Sequence, residues 1–280
     1  MAYSVLQSSP LLPNVSPVEI YYLEEGAGSS KEGAGAPSDG EGVPILFLHG
    51  GWGYEMYPYD RQIAALSQEY RCITPDRSGY GRSQRLVGEL PADFHYRAAV
   101  ETLSFMDSLG IERAVLWGHS DGAVIAAIIG FTAPHRVSGL ILEAIHYYAQ
   151  KLSSRVFFEA LAFRPESLGV ELRNRFALAL GPDWRGLITT HSRAWLQLAR
   201  NMNGPRDDLY GGRLHEITAP TLIIHGRLDP RTEAGELDDV RRQLPHAEMH
   251  ILDEGSHSPH SESATAELIT GIARGFLGKK

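Results

Sequence analysis

The apolar residues of this chain fall into short, nearly continuous runs that alternate with amphipathic stretches. Runs of this kind are typical of strands buried on both faces of a sheet, and the amphipathic stretches between them predict helices. The predicted strands are residues 18–23, 43–48, 72–74, 114–117, 137–143, 221–224 and 248–252, and the predicted helices are 60–70, 92–109, 123–129, 233–244 and 263–276. Regular alternation of strand and helix predicts an α/β protein with a doubly wound, mostly parallel sheet.

The alternation is interrupted between residues 146 and 212. Three helical patterns occur there without a strand signal, at 152–163, 168–180 and 184–202. We therefore predict an inserted helical cap at 146–212 and a discontinuous core domain formed by 1–145 and 213–280. Near the N-terminus, residues 24–42 are rich in Gly, Ala and Ser without an apolar period, which predicts a loop.

Charge and composition restrict the partners of the chain. The 26 Lys and Arg against 34 Asp and Glu give a net charge of -8, whereas a nucleic-acid partner favours a basic surface. The longest apolar run is far shorter than the roughly 18 residues of a membrane span, and residues 1–10 lack the features of a secretory leader. We expect a cytoplasmic protein whose partner is a small-molecule substrate, with neither nucleic acid nor membrane. Cys72 is the single cysteine, which excludes an intrachain disulfide.

The candidate nucleophile is Ser120, in the sequence Gly118-His119-Ser120-Asp121-Gly122. This G-x-S-x-G pattern lies between a predicted strand and a predicted helix, which is the context of a nucleophile elbow. A side chain at either glycine would collide across so sharp a turn. The pattern therefore predicts a tight turn that exposes the Ser120 hydroxyl at the edge of the sheet.

A serine hydroxyl needs a nearby base, and usually a carboxylate that orients the base. Asp229 lies in the loop after the strand at 221–224, and His257 follows the strand at 248–252. The loops at the carboxyl ends of parallel strands gather at one edge of the sheet, so both side chains are expected to meet Ser120 there. Glu143, at the end of the strand before the cap, is an alternative carboxylate.

The order Ser, Asp, His is the order of the α/β-hydrolase triad, and two further motifs support this resemblance. Residues 49–53, His-Gly-Gly-Trp-Gly, are similar to the family's oxyanion loop, and residues 76–83 are similar to its Asp-x-x-Gly-x-Gly-x-Ser segment. From 43 to 276 the chain thus resembles an α/β-hydrolase with a helical cap. The resemblance implies that the Gly51 N–H binds the oxyanion. The N–H of Asp121, the residue after the nucleophile, is expected to be the second donor, and neighbouring Trp52 is a candidate for substrate binding.

Two features of the sequence make opposite predictions about the substrate. Residues 151–213 contain nine Arg and one Lys against six acidic residues, so Arg155 or Arg193 is a candidate for bidentate binding of a substrate carboxylate. The carboxylate of Asp121, beside the nucleophile, suggests instead a cationic acyl group such as an aminoacyl ester. The sequence leaves this choice open.

The combined motifs predict a cofactor-independent serine hydrolase that acts on a small ester, lactone or related acyl compound. Relatives with the same triad cleave carbon-carbon bonds of ring-fission products, remove N-terminal proline or carry out perhydrolysis, and a ligand receptor on the same fold is a further alternative. Epoxide hydrolases and haloalkane dehalogenases carry Asp at the elbow, so Ser120 argues against both. His246 and His250 have a metal-like spacing but bracket a strand and lack a third ligand, so no metal site is expected.

Overall fold

The computed structural model describes residues 2–26, 43–86 and 88–279, and its described strands form a single eight-stranded sheet. The strands are β1 (Ala2–Leu6), β2 (Val18–Gly26), β3 (Ile45–Leu48), β4 (Arg71–Pro75), β5 (Ala114–His119), β6 (Val137–Glu143), β7 (Thr221–Gly226) and β8 (Glu248–Leu252). Their order is β1-β2-β4-β3-β5-β6-β7-β8. Strands β3 to β8 are parallel, whereas β1 and β2 form an antiparallel edge. The predicted α/β class and mostly parallel sheet are confirmed.

Helices cover both faces of the sheet. They are α1 (Asp60–Leu66), α2 (Phe94–Ser108), α3 (Asp121–Thr132), α4 (Arg155–Phe163), α5 (Val170–Leu180), α6 (Trp184–Arg200), α7 (Glu236–Gln243) and α8 (Ala266–Leu277). In β3, Ile45 and Phe47 belong to the core that α1 and α8 cover, and Leu46 and Leu48 belong to the core under α2 and α3. This alternation follows from the two-residue period of a strand and explains why the run is apolar throughout. None of the described helices is both long enough and apolar enough to cross a bilayer.

Helices α4, α5 and α6 occupy the segment between β6 and β7 in which helical patterns without strands were predicted. Helix α4 packs against α6. Phe158 of α4, with His191 and Trp195 of α6, reaches the pocket that contains Ser120. The segment therefore lies over the carboxyl ends of the strands. Its treatment as a separate cap domain, with boundaries at 146 and 212, stays a proposal.

The N-terminal edge of the sheet differs from the sequence prediction. Strand β1 was not predicted, and β2 continues to Gly26, so the predicted loop does not begin at residue 24. The remainder of that predicted loop, residues 27–42, lies outside the described residues. In β1, Tyr3 and Val5 are half exposed, and only Ser4 and Leu6 are buried. Strand β1 has only five residues and one covered face. Its alternation of buried and exposed positions is therefore too short to be recognised in the sequence.

Candidate active site

Ser120 occupies the turn between β5 and α3 with φ 55° and ψ -119°, a conformation that is strained for a residue with a side chain. A Cβ atom on Gly118 would lie 2.2 Å from the carbonyl oxygen of Gly122, and one on Gly122 would lie 1.9 Å from that of Leu48. Both positions therefore require glycine. The turn predicted from the G-x-S-x-G pattern is present, and Ser120 is its strained residue.

The three side chains predicted to converge do so. The Nε2 atom of His257 lies 3.1 Å from Ser120 Oγ, and its Nδ1 atom lies 2.8 Å from Asp229 Oδ2. A carboxylate can only accept a hydrogen bond, so the imidazole carries its proton on Nδ1. The Nε2 atom is then free to accept the proton of the Ser120 hydroxyl.

The charges around this chain of hydrogen bonds favour an ionised Asp229 and a neutral His257. Burial raises the pKa of Asp229, but His257, His225 and the backbone N–H of Arg231 outweigh it and hold that pKa well below its usual range. Burial and the nearby Arg231 guanidinium lower the pKa of His257 to about 4, although Asp229 opposes both. At neutral pH His257 is thus unprotonated, as a general base must be.

Glu143, the alternative carboxylate, contacts a different histidine. Its Oε1 atom accepts hydrogen bonds from the backbone N–H of His260 at 3.0 Å and from His260 Nδ1 at 2.7 Å, and its Oε2 atom accepts one from Trp117 Nε1 at 3.3 Å. The side chains of Glu143 and His260 are fully buried. Glu143 therefore anchors the chain just beyond His257, and Asp229 orients His257 itself.

The two predicted oxyanion donors belong to the same pocket as Ser120, which Gly51 and Asp121 both line. Asp121 is the first residue of α3, so its N–H has no acceptor within the helix. The loop before Gly51 is held by Arg77, whose backbone N–H donates to His49 Nε2 at 3.1 Å and whose Nη2 donates to the Gly50 carbonyl at 3.0 Å. Arg77 belongs to the Asp-x-x-Gly-x-Gly-x-Ser segment, so this motif helps to hold the loop that carries Gly51. Oxyanion binding itself stays a prediction.

The Asp121 carboxylate is buried beside three ring nitrogen atoms. His95 Nε2 and Trp195 Nε1 lie 3.2 and 3.1 Å from Oδ1, and His191 Nε2 lies 2.9 Å from Oδ2. Burial raises the pKa of Asp121, but His191 and His95 outweigh it and hold that pKa well below its usual range. Oδ1 thus accepts two hydrogen bonds, whereas the buried Oδ2 forms none with the described residues, so a preference for a cationic acyl group stays a prediction.

The predicted substrate-binding arginines do not lie at Ser120. Arg155 is 65% exposed and pairs with Glu159 one helical turn away, and Arg193 is 46% exposed and pairs with Glu89. Neither arginine lines the Ser120 pocket, although Arg155 lines a neighbouring cavity. The binding of a substrate carboxylate by Arg155 or Arg193 therefore stays a prediction.

The residues that line the Ser120 pocket include Trp52, as predicted, and Arg231, which the sequence analysis missed. Arg231 lies two residues after Asp229, in the loop at the carboxyl end of β7. Its guanidinium is the cationic side chain of this pocket. The position after a parallel strand was the available signal for Arg231, as it was for Asp229.

The Ser120 pocket is small, with a volume of about 10 Å³, enough for roughly one water molecule. A cavity of about 220 Å³, here called the side chamber, lies next to it between α4, α6 and residues 149–152. Phe158 and Trp195 line both spaces and form their common wall. Arg155 lines the side chamber and not the Ser120 pocket.

Three features together define the α/β-hydrolase class. They are a mostly parallel sheet, a strained serine between a strand and a helix, and an imidazole-carboxylate pair from two later loops. The model of the alpha/beta hydrolase family matches residues 45–270, and the chain belongs to that family and is a hydrolase of this fold.

Individual relatives are distant and differ in activity. The chain is 23% identical to "Serine hydrolase BPHL" of Homo sapiens, over 94% of this chain and 84% of the relative. It is 28% identical to "Haloalkane dehalogenase 2" of Mycobacterium bovis, over 84% and 86%. Among solved structures, a thermophilic esterase from Thermogutta terrifontis superposes with a TM-score of 0.72 at 21% identity, covering 100% of this chain and 99% of the esterase. The last likeness shows the fold alone.

Proposed function

We propose that the protein is a cofactor-independent serine hydrolase that cleaves a small ester, lactone or related acyl substrate through an acyl-enzyme. The observation that carries the proposal is the pair of distances that joins Ser120 Oγ, His257 and Asp229, 3.1 and 2.8 Å. The strained backbone of Ser120 supports it, because strain of this kind persists where the surrounding structure holds a functional group in place.

The proposed reaction has two halves. In the first, the Ser120 proton passes to His257 Nε2 as Oγ attacks the carbonyl carbon, and the imidazolium then protonates the leaving group. In the second, His257 takes a proton from water, which attacks the acyl carbon and releases Ser120. Asp229 remains ionised and stabilises the imidazolium in both halves. The N–H groups of Gly51 and Asp121 bind the oxyanion, at roughly 3 to 4 kcal/mol for one donor.

The volumes around Ser120 favour a small substrate. The pocket at the nucleophile holds about one water, so an ester must displace the wall formed by Phe158 and Trp195 and extend into the side chamber of about 220 Å³. The apolar part of that lining, Leu152, Phe158 and Leu196, suits a short acyl chain, and the charged residues Lys151, Arg155, Glu159 and Arg200 line the same chamber. The helices that contribute this wall are proposed to serve as the cap.

The test combines an active-site label with a substrate panel. A fluorophosphonate should attach to Ser120, located by mass spectrometry of the peptide, and p-nitrophenyl esters of increasing chain length should be hydrolysed best when the acyl chain is short. Lactones, aminoacyl esters, a ring-fission dione and a prolyl amide in the same panel test the other reactions of this triad. Absence of both label and turnover would favour the receptor alternative.

The pH dependence of the reaction should respond to Arg231. Its guanidinium disfavours the imidazolium form of His257, so replacement by glutamine should raise the pKa of His257 above its present value of about 4. The acid limb of kcat/KM, which reports the free enzyme, should then move to higher pH. Between pH 7 and pH 5 the Arg231→Gln variant should lose more of its activity than the native enzyme.

Arg227→Gln is the matched control for this experiment. Arg227 lies in the same loop, but it is 61% exposed and pairs with Asp253. Its loss should leave the pH profile unchanged, with circular dichroism confirming the fold at each pH. Identical profiles for Arg231→Gln and the native enzyme would show that Arg231 does not act on His257.

A further inference from the structure

A second imidazole lies within hydrogen-bond distance of Ser120 Oγ, the atom that the proposed base also contacts. His146 Nε2 is 3.2 Å from Ser120 Oγ, and His257 Nε2 is 3.1 Å from it. The two rings are nearly parallel, with an interplanar angle of 19° and centroids 5.5 Å apart. His146 follows β6 at the carboxyl edge of the sheet. His146 has no role in the proposed triad.

The surroundings of the two rings assign them different roles. His257 Nδ1 donates to Asp229, whereas among the described residues no carboxylate forms a hydrogen bond with His146. Burial lowers the pKa of His146 well below its usual value, and the nearby Lys151 ammonium lowers it further. His146 is therefore a neutral ring that is poorly suited to accept the proton. If Ser120 donates to His257, its oxygen can accept a hydrogen bond from an Nε2–H group of His146.

The position of His146 is fixed by contacts on several sides. Its carbonyl accepts a hydrogen bond from Tyr210 Oη at 2.6 Å, and the next two backbone N–H groups, those of Tyr147 and Tyr148, donate to Glu236 Oε1 at 2.7 and 3.1 Å. The ring packs edge-to-face on Trp195 at 5.5 Å, and the residue is only 4% exposed.

The backbone just before His146 is also constrained. Ala144, two residues earlier, has φ 49°, in the left-handed region that residues with a side chain rarely adopt. Its N–H donates to the Ile224 carbonyl at 2.9 Å, which holds this turn against β7. A strained turn followed by buried hydrogen bonds orients the His146 ring toward Ser120.

We propose that His146 is a further catalytic residue, which donates its Nε2–H to Ser120 Oγ and stabilises that oxygen as the leaving group of deacylation. This inference rests on the proposed serine hydrolase function. In deacylation, water gives a proton to His257 and its oxygen bonds to the acyl carbon. The bond between that carbon and Oγ then breaks, its electron pair goes to Oγ, and the proton on His257 is transferred to Oγ. Charge develops on Oγ in the last step, where a fixed N–H donor lowers the barrier.

The same donor should help acylation much less. In that half Oγ is the nucleophile, and a hydrogen bond to its lone pair stabilises the resting enzyme as well as the transition state. Loss of the donor is therefore expected to slow deacylation selectively. A ring that only fills space would affect both halves alike.

Pre-steady-state hydrolysis of p-nitrophenyl acetate separates the two halves. His146→Phe keeps the aromatic packing but removes the donor, and deacylation should fall about 10- to 100-fold, with an acyl-enzyme burst of one p-nitrophenolate per enzyme. The rate of fluorophosphonate labelling should change much less. His146→Gln, whose amide can donate at a similar position, should recover most of the deacylation rate.

Other results would overturn the inference. A native deacylation rate in His146→Phe, or an equal loss of acylation and deacylation in both variants, would make His146 a packing residue. If His146→Phe does not fold, His146→Ala replaces it as the donor-free variant, with the same readings. Failure of the native enzyme to label or turn over would refute the proposed function itself, whereas native labelling with an unaffected His146→Phe refutes only the role of His146.

Discussion

Replacement of Ser120 by alanine should reduce turnover of a p-nitrophenyl ester by about 10⁴- to 10⁶-fold, because the nucleophile of a triad has no substitute. The Ser120 side chain makes two hydrogen bonds, to His257 and His146, and contributes little to the core. The variant should therefore fold normally and melt close to the native temperature. Initial rates and far-UV circular dichroism on the same samples measure both quantities.

Ser192→Ala is the matched control for Ser120→Ala. Ser192 is fully buried in α6, and its hydroxyl has no hydrogen-bond partner among the described residues. Its replacement should leave turnover and fluorophosphonate labelling intact, whereas Ser120→Ala should lose both. Hydrolysis at a native rate in folded Ser120→Ala would exclude the acyl-enzyme mechanism.

The parts of the site that could be predicted from sequence are those in which local geometry restricts the residue type. Gly118 and Gly122 are required by backbone atoms less than 3 Å from where their Cβ atoms would lie, so the elbow has a recognisable sequence. Asp229 and His257 follow apolar runs that identify buried parallel strands, and such strands place their following loops at one edge. The convergence of these side chains with Ser120 therefore follows from topology.

The residues that escaped prediction owe their positions to packing between distant segments. His95 reaches Asp121 because α2 packs against α3, and His191 reaches it because α6 crosses the carboxyl edge of the sheet. No period in the sequence encodes that contact. Arg155 and Arg193 were selected by composition, which records how many charges a segment carries and not which of them reach the Ser120 pocket. His146 did have a signal, since it follows β6 as His257 follows β8.

The conversion of Asp229 to asparagine should lower kcat by about 10⁴-fold without unfolding the protein. In the native protein His257 Nδ1 donates a hydrogen bond to Asp229 Oδ2 at 2.8 Å. In the variant the asparagine amide would instead donate a hydrogen bond to Nδ1. The imidazole proton would then reside on Nε2 and point at Ser120 Oγ, so that His257 could no longer accept the serine proton. Asp253→Asn, an 80% exposed carboxylate just before His257, is the matched control and should retain native kcat.

Glu143→Gln tests the alternative carboxylate in the same assay. Because Glu143 binds the backbone and ring of His260, its replacement should lower the free energy of unfolding, measured in urea, and should reduce kcat far less than Asp229→Asn. A glutamine oxygen still accepts from the His260 backbone N–H, so the loop that carries His257 keeps one of its anchors. The reverse ranking, with a 10⁴-fold loss in Glu143→Gln and a nearly native Asp229→Asn, would move the acid of the triad from the end of β7 to the end of β6.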